Sequence, residues 1–208
     1  MSGSAALLSD YRFRGVSLSD RQPVAEASGL ASTASGWFAG VEGIAIARPR
    51  DLRSSRTAEV DLSAGWSRPL GLLTPTAGVI GYVYPGRRGS VIEGFGSLAG
   101  ALGPATLIVG ANYAPDQAAV AGGNLYVYAR ASVGIPLTPV TLRAAAGCER
   151  GGFDGGRAKM DYRAGADVRV WIVTLGLDYV GNDVPRTVTQ ALRHDSGNAI
   201  VGSVTLAF

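Results

Sequence analysis

Along most of the chain apolar and polar residues alternate with a period of two, which in an extended strand turns successive side chains to opposite faces. In the C-terminal run Ile200, Gly202, Val204, Leu206 and Phe208 fall on one face, and Val201, Ser203, Thr205 and Ala207 on the other. The same sorting sets Val60, Leu62, Ala64 and Trp66 against Glu59, Asp61, Ser63 and Gly65. Leu107, Val109, Ala111 and Tyr113 oppose Thr106, Ile108, Gly110 and Asn112, and Leu125, Val127, Ala129, Ala131 and Val133 oppose Asn124, Tyr126, Tyr128, Arg130 and Ser132. One face is apolar and the other carries charge.

Breakers of two sizes separate these runs and alternate along the chain. Short turns are predicted near Thr33 to Gly36, Arg68 to Leu72, Gly103-Pro104, Ile135 to Pro139 and Val170 to Ile172. Longer polar loops are predicted near Ser17 to Pro23, Arg48 to Arg56, Pro85 to Ser90, Pro115 to Gly123, Arg150 to Lys159 and Gly181 to Ser196. The segments between them give about twelve strands, the first Ala5 to Val16 and the last Gly197 to Phe208, with no domain boundary across residues 1–208. Strands of about 9 to 11 residues, even in number, with short turns at one end and long loops at the other, predict an all-β fold: a transmembrane antiparallel up-and-down β-barrel.

A soluble β-sandwich would alternate too, but it has no reason to sort its aromatic residues by type. Here Trp37, Trp66 and Trp171 fall at the short-turn end with Phe208, whereas Tyr113, Tyr126, Tyr128, Tyr162 and Tyr179 fall at the long-loop end, joined by Tyr82 and Tyr84. Two belts flanking a Val/Leu/Ala band are what a bilayer selects. The aromatic girdle is expected to comprise Tyr11, Trp37, Trp66, Tyr113, Tyr162, Trp171, Tyr179 and Phe208.

Composition narrows the classes further. The hydrophobic set makes up 47% of the chain, charged residues only 17%, and Cys148 is the sole cysteine, which excludes a disordered chain and a disulfide-stapled domain. The 30 glycines among 208 residues argue against helix, where each costs about 1 kcal/mol relative to alanine. No apolar run reaches the roughly 18 residues of a spanning helix. The net charge of +3 is carried by arginine, with Lys159 the only lysine, and acids are interspersed in the same segments, which argues against nucleic acid as a partner. The start Met-Ser-Gly-Ser-Ala has neither a basic nor an apolar leader region, so either the protein is cytoplasmic or an export signal has been removed.

The stretch Ser9-Asp10-Tyr11-Arg12-Phe13-Arg14-Gly15-Val16-Ser17 resembles the N-terminal signature of the TorF-type porins of proteobacteria. Further matches occur in order at Gly36-Trp37-Phe38-Ala39-Gly40, Glu59-Val60-Asp61, Gly78 through Tyr84-Pro85-Gly86, Glu93, Tyr113-Ala114-Pro115-Asp116 and Asp161-Tyr162. The resemblance implies a channel-like protein of the bacterial outer membrane and leaves its solute open.

Catalytic chemistry finds little support. The one histidine, His194, stands in Arg193-His194-Asp195-Ser196, yet adjacent residues rarely converge as nucleophile, base and orienter. No Cys/His set suits zinc, no acidic spacing matches a calcium hand, and Glu93-Gly94-Phe95-Gly96-Ser97 lacks the setting of a dinucleotide fingerprint, so no catalytic residue, metal or cofactor is expected. Cys148 reads as a small buried or lipid-facing residue.

What remains is the charged face. Strand parity directs Asp10, Arg12, Arg14, Glu26, Glu42, Glu59, Asp61, Glu93, Arg130, Arg143, Asp161, Arg163, Asp167, Arg169 and Asp178 into the lumen, where they are expected to line a pore. Eight strands leave an interior filled by side chains and 16 to 18 an open pore, so a barrel of about twelve is expected to be a narrow channel for small polar solutes or ions. Six arginines against nine acids predict weak cation selectivity. The alternatives are a plugged structural or surface-binding barrel and an outer-membrane lipid-modifying enzyme. Arg48, Arg50, Arg53, Arg56, Arg87, Arg88, Arg150, Arg157, Lys159, Arg186 and Arg193 are expected to form a basic outer rim suited to lipopolysaccharide. Phe208 and its alternating run are expected to be read by the barrel-assembly machinery.

Overall fold

The protein is described by a computed structural model over residues 1–46, 58–85, 90–154, 158–184 and 195–208. Twelve strands close into one antiparallel barrel, each paired with its neighbours in sequence, and the last returns to the first. In chain order they are β1 (Ser2–Leu8), β4 (Val24–Ser32), β5 (Trp37–Ile46), β6 (Ala58–Ser67), β7 (Leu73–Val83), β8 (Val91–Leu102), β9 (Ala105–Ala114), β10 (Asn124–Gly134), β11 (Val140–Gly151), β12 (Ala158–Val170), β13 (Val173–Asn182) and β14 (Ala199–Ala207). Between β1 and β4 two short strands, β2 (Arg12–Phe13) and β3 (Val16–Ser17), form a separate hairpin.

The register explains the alternation. Leu62, Val109 and Val127 point outward and are 53%, 47% and 50% exposed, while the intervening Glu59, Asp61 and Tyr126 are buried in the interior. The barrel therefore wears its apolar residues outside and its charges inside, the inverse of a water-soluble core. Short turns lie at one end, down to the two residues Trp171 and Ile172 between β12 and β13, and the longer connections lie at the other. Closure is completed by reciprocal backbone hydrogen bonds between Gly3 and Phe208 at 2.8 and 3.0 Å, with the Phe208 ring against Gly3.

One expectation fails at the first strand. Residues Ala5 to Val16 do not run as a single strand; β1 stops at Leu8 and the chain folds inward through β2 and β3. The reversal is at Arg14 and Gly15, whose φ values of 48° and 81° are both positive, as a two-residue hairpin turn requires.

Candidate functional site

The hairpin is built from the signature residues. Asp10 Oδ1 accepts hydrogen bonds from Ser17 Oγ at 2.6 Å and Ser19 Oγ at 3.0 Å, and Arg12 Nε donates to Asp10 Oδ2 at 2.6 Å. These contacts tie its two ends together, and its side chains then reach the surrounding wall. Tyr11 packs on Val24 of β4 and Ile44 of β5. Phe13 meets Tyr82 of β7 edge to face, ring centroids 5.6 Å apart. Arg12 Nη1 donates to the Gly197 carbonyl at 2.7 Å, and Asn182 Nδ2 of β13 donates to the Gly15 carbonyl at 2.7 Å. The hairpin thus crosses the lumen near the long-loop end.

Arg14, at the turn, clamps it. Nη2 pairs with Glu93 Oε2 of β8 at 2.6 Å and Nη1 with Glu149 Oε1 of β11 at 2.5 Å, while the guanidinium carbon lies 4.4 Å from the centre of the Tyr126 ring and 4.6 Å from that of Phe13. Both carboxylates have further partners: Tyr82 Oη and Asn112 Nδ2 donate to Glu93, and Asn124 Nδ2 and Lys159 Nζ donate to Glu149. Burial works to lower the Arg14 guanidinium, but Glu93 and Glu149 outweigh it and hold it above its ordinary value. Glycine makes room for the stack, since a Cβ at Gly147 would collide with the Tyr126 ring.

Below the hairpin the two sides of the lumen differ in charge. Arg143 of β11 makes a forked pair with Asp178 of β13 at 3.0 and 2.8 Å and a second pair with Asp167 of β12 at 2.6 Å. Arg130 of β10 lies over the Tyr128 ring at 4.5 Å, and Arg169 Nε donates to the Trp171 carbonyl at 3.2 Å. Arg163 is half-buried on the interior face of β12, and Asp161 accepts from Tyr126 Oη at 3.1 Å. On the opposite side, six places round the barrel from β11, β5 stands between β4 and β6. There Glu42 and Asp61 are direct cross-strand partners, and Ile44 is in register with both Glu26 and Glu59. A cavity of about 390 Å³ abuts this wall. Burial, then the carboxylates of Glu59, Asp61, Glu42 and Glu26, push the Tyr11 phenol above its ordinary value.

Several residues stand elsewhere than the pattern suggested. Asp10, Arg12 and Arg14 reach the interior from the hairpin and not from a barrel strand. Tyr11 is inside the barrel, packed on Val24 and Ile44, and belongs to no outer belt. Tyr82, Tyr84, Tyr126 and Tyr128 also turn inward, because they share strand parity with Glu93 and Arg130. Lys159 is buried against Glu149 and is not part of a rim. Trp37, Tyr113, Tyr162, Trp171, Tyr179 and Phe208 do point outward, and Trp66 Nε1 caps the Ser35 carbonyl at 3.0 Å. Glu149, Asn112 and Asn124 were absent from the sequence-based set, although Glu149 lies two residues after Gly147 with the parity of Arg143. His194 and Arg48, Arg50, Arg53, Arg56, Arg87, Arg88, Arg157, Arg186 and Arg193 lie outside the described residues.

A sequence profile described as "bacterial protein of unknown function (Gcw_chp)" matches residues 1–208. No curated protein matches the chain in sequence. Among solved structures the barrel is similar to the NanC porin, with TM-score 0.68, 9% identity, and coverage of 100% of this chain and 98% of that one. It is similar to the KdgM porin, with TM-score 0.65, 5% identity, and coverage of 100% and 99%. It also resembles an outer membrane channel from Pseudomonas putida F1, with TM-score 0.62, 9% identity, and coverage of 100% and 94%. At such identities the likeness is one of fold: a porin-like barrel.

Proposed function

We propose that this chain, which belongs to the Gcw_chp family of bacterial proteins, works in the outer membrane as a narrow porin-like channel for small polar solutes or ions. The observation that carries the reading is the inverted barrel: an apolar exterior of Leu62, Val109 and Val127 around an interior of Glu59, Asp61, Arg143 and Asp178. An unpaired charge in an apolar medium is expensive, so a charged interior asks for partners, water or a passing solute. The resemblance of Ser9 to Ser17 to the TorF-type porins favours the same reading, and binding and passage call for no catalytic group.

The hairpin favours a second reading. With Arg14 paired to both Glu93 and Glu149, a barrel that stays shut and serves as a surface or structural element accounts for the same clamp. Planar-bilayer conductance of the intact protein and of a variant with residues 11–18 replaced by a short glycine-serine link decides between them. Discrete small openings in the intact protein support the channel. Openings only in the variant mean that the native barrel is shut, and silence in both removes the channel altogether.

A further inference from the structure

On the interior face of β10 to β13 two neighbouring rows of side chains follow one plan but end differently. In the row nearer the short turns Ser132, Arg143, Gly165 and Asp178 stand in register, and Arg143 reaches past Gly165 to hold the Asp178 carboxylate in a fork, with Asp167 as its second partner. Glycine leaves that path open, since a Cβ at Gly165 would collide with the Asp178 carboxylate. In the next row Arg130, Ala145, Arg163 and Val180 stand in register. Here Val180 takes the place of the acid, and a second arginine takes the place of the glycine.

Arg130 and Arg163 thus share a row with one methyl group between them, two strand spacings or about 10 Å apart at the backbone. Among the described residues neither forms an ion pair or a hydrogen bond; Arg163 is within electrostatic reach of Glu26 and Asp167 but pairs with neither. The Arg130 guanidinium lies 4.5 Å from the centre of the Tyr128 ring, which itself lies across Gly110. Such stacking occupies the face of the guanidinium and leaves its N–H edge for an acceptor. Arg130 is exposed and Arg163 half-buried, so both are open to the lumen. Two cations placed in this way repel one another, and an anion between them turns the repulsion into attraction.

The charge of that anion is bounded from the far side, because Glu26, Glu42, Glu59 and Asp61 look onto the same lumen from β4 to β6 and disfavour a second negative charge. We propose that Arg130 and Arg163 bind the carboxylate of a small monoanionic solute, much as Arg143 binds Asp178, with Arg130 held ready on Tyr128. The inference rests on the channel reading, since the lumen is the route to the site, and deepens it by naming the class of solute.

The test is titration of the full-length protein in nanodiscs with propionate in chloride buffer, followed by saturation-transfer NMR, with propionamide as the uncharged counterpart and conductance measured on the same purified protein. Propionate should bind and propionamide should not. R130Q/R163Q should weaken propionate binding about tenfold or more, as the loss of a charge-assisted hydrogen bond would, while Arg68→Gln, on the exposed turn between β6 and β7, should leave it unchanged. Neither lumen arginine leaves a carboxylate stranded, so the double variant should fold; if its heat-modifiable migration is lost, Arg163→Gln alone decides, with a weakening of about threefold expected. No propionate binding, equal binding of propionamide, an equal loss in Arg68→Gln, or undiminished binding in the folded variant would each overturn the site. Binding without conductance in either the intact or the hairpin-replaced protein would sink the channel and leave the site, and conductance without binding would do the reverse.

Discussion

Arg14 meets two demands that lysine cannot meet together: a fork wide enough for carboxylates on β8 and β11, and a flat face for Tyr126 and Phe13. Its side chain is 5% exposed, and those of Glu93 and Glu149 are 0% and 1% exposed, so removing it takes the cation from buried Glu93 and leaves Glu149 to Lys159. Breaking buried pairs of this kind costs about 3 to 5 kcal/mol. Arg14→Ala should therefore lower the free energy of unfolding of the reconstituted barrel in urea by an amount of that order, with Arg14→Lys falling between it and the wild type. The pH dependence has a definite sign. A folded-state value above the unfolded one gives stability that is fully present below the unfolded value and is lost only as pH rises through the folded value. Arg14's contribution is thus whole at neutral pH, and unfolding curves at pH 7 and 9 should show the same Arg14→Ala penalty.

At the scale of the strand, parity decides what a position tolerates. Leu62 is 53% exposed on the outer face of β6 and Ser63 faces the lumen. Leu62→Arg should lose about 2 to 4 kcal/mol in bilayer refolding while Ser63→Arg loses much less. Glu42→Gln should gain about 0.2 to 1 kcal/mol by relieving the like-charge pair with Asp61, read as a raised unfolding midpoint. The period of two that separates Leu62 from Ser63 also made the twelve strands legible in the sequence, because the pleat imposes it wherever one face is apolar. The hairpin escaped for the same reason: Asp10, Arg12 and Arg14 continue the alternation of β1, and only their contacts with Ser17, Glu93 and Glu149 reveal the inward turn. Glu149 and Lys159 were hidden because they sit where strand becomes loop, and sequence alone does not say on which side of that boundary a charge points.

Across the whole molecule the seam between β1 and β14 is its shortest join, with five registered pairs against eleven between β10 and β11. The hairpin and the segment after it reinforce the seam, since Arg12 and Arg21 donate to the carbonyls of Gly197 and Ser196 just before β14, and Gly3 and Phe208 bond at the other end. Phe208→Ala strips the ring from Gly3 and should lower the amount of heat-modifiable barrel recovered from outer membranes; recovery equal to wild type would show that the ring matters neither to the seam nor to the assembly machinery.

The clamp also carries a timetable. Arg14 meets its partners 79 and 135 residues further along the chain, and Arg12 meets Gly197 at a separation of 185. Contacts of such span form only after the intervening loop entropy has been overcome, and here β8, β11 and the approach to β14 must already stand before the turn has anything to grip. The hairpin can therefore be gripped only by strands that are already in place, so a barrel whose hairpin has not yet been seated would keep its long-loop end unobstructed.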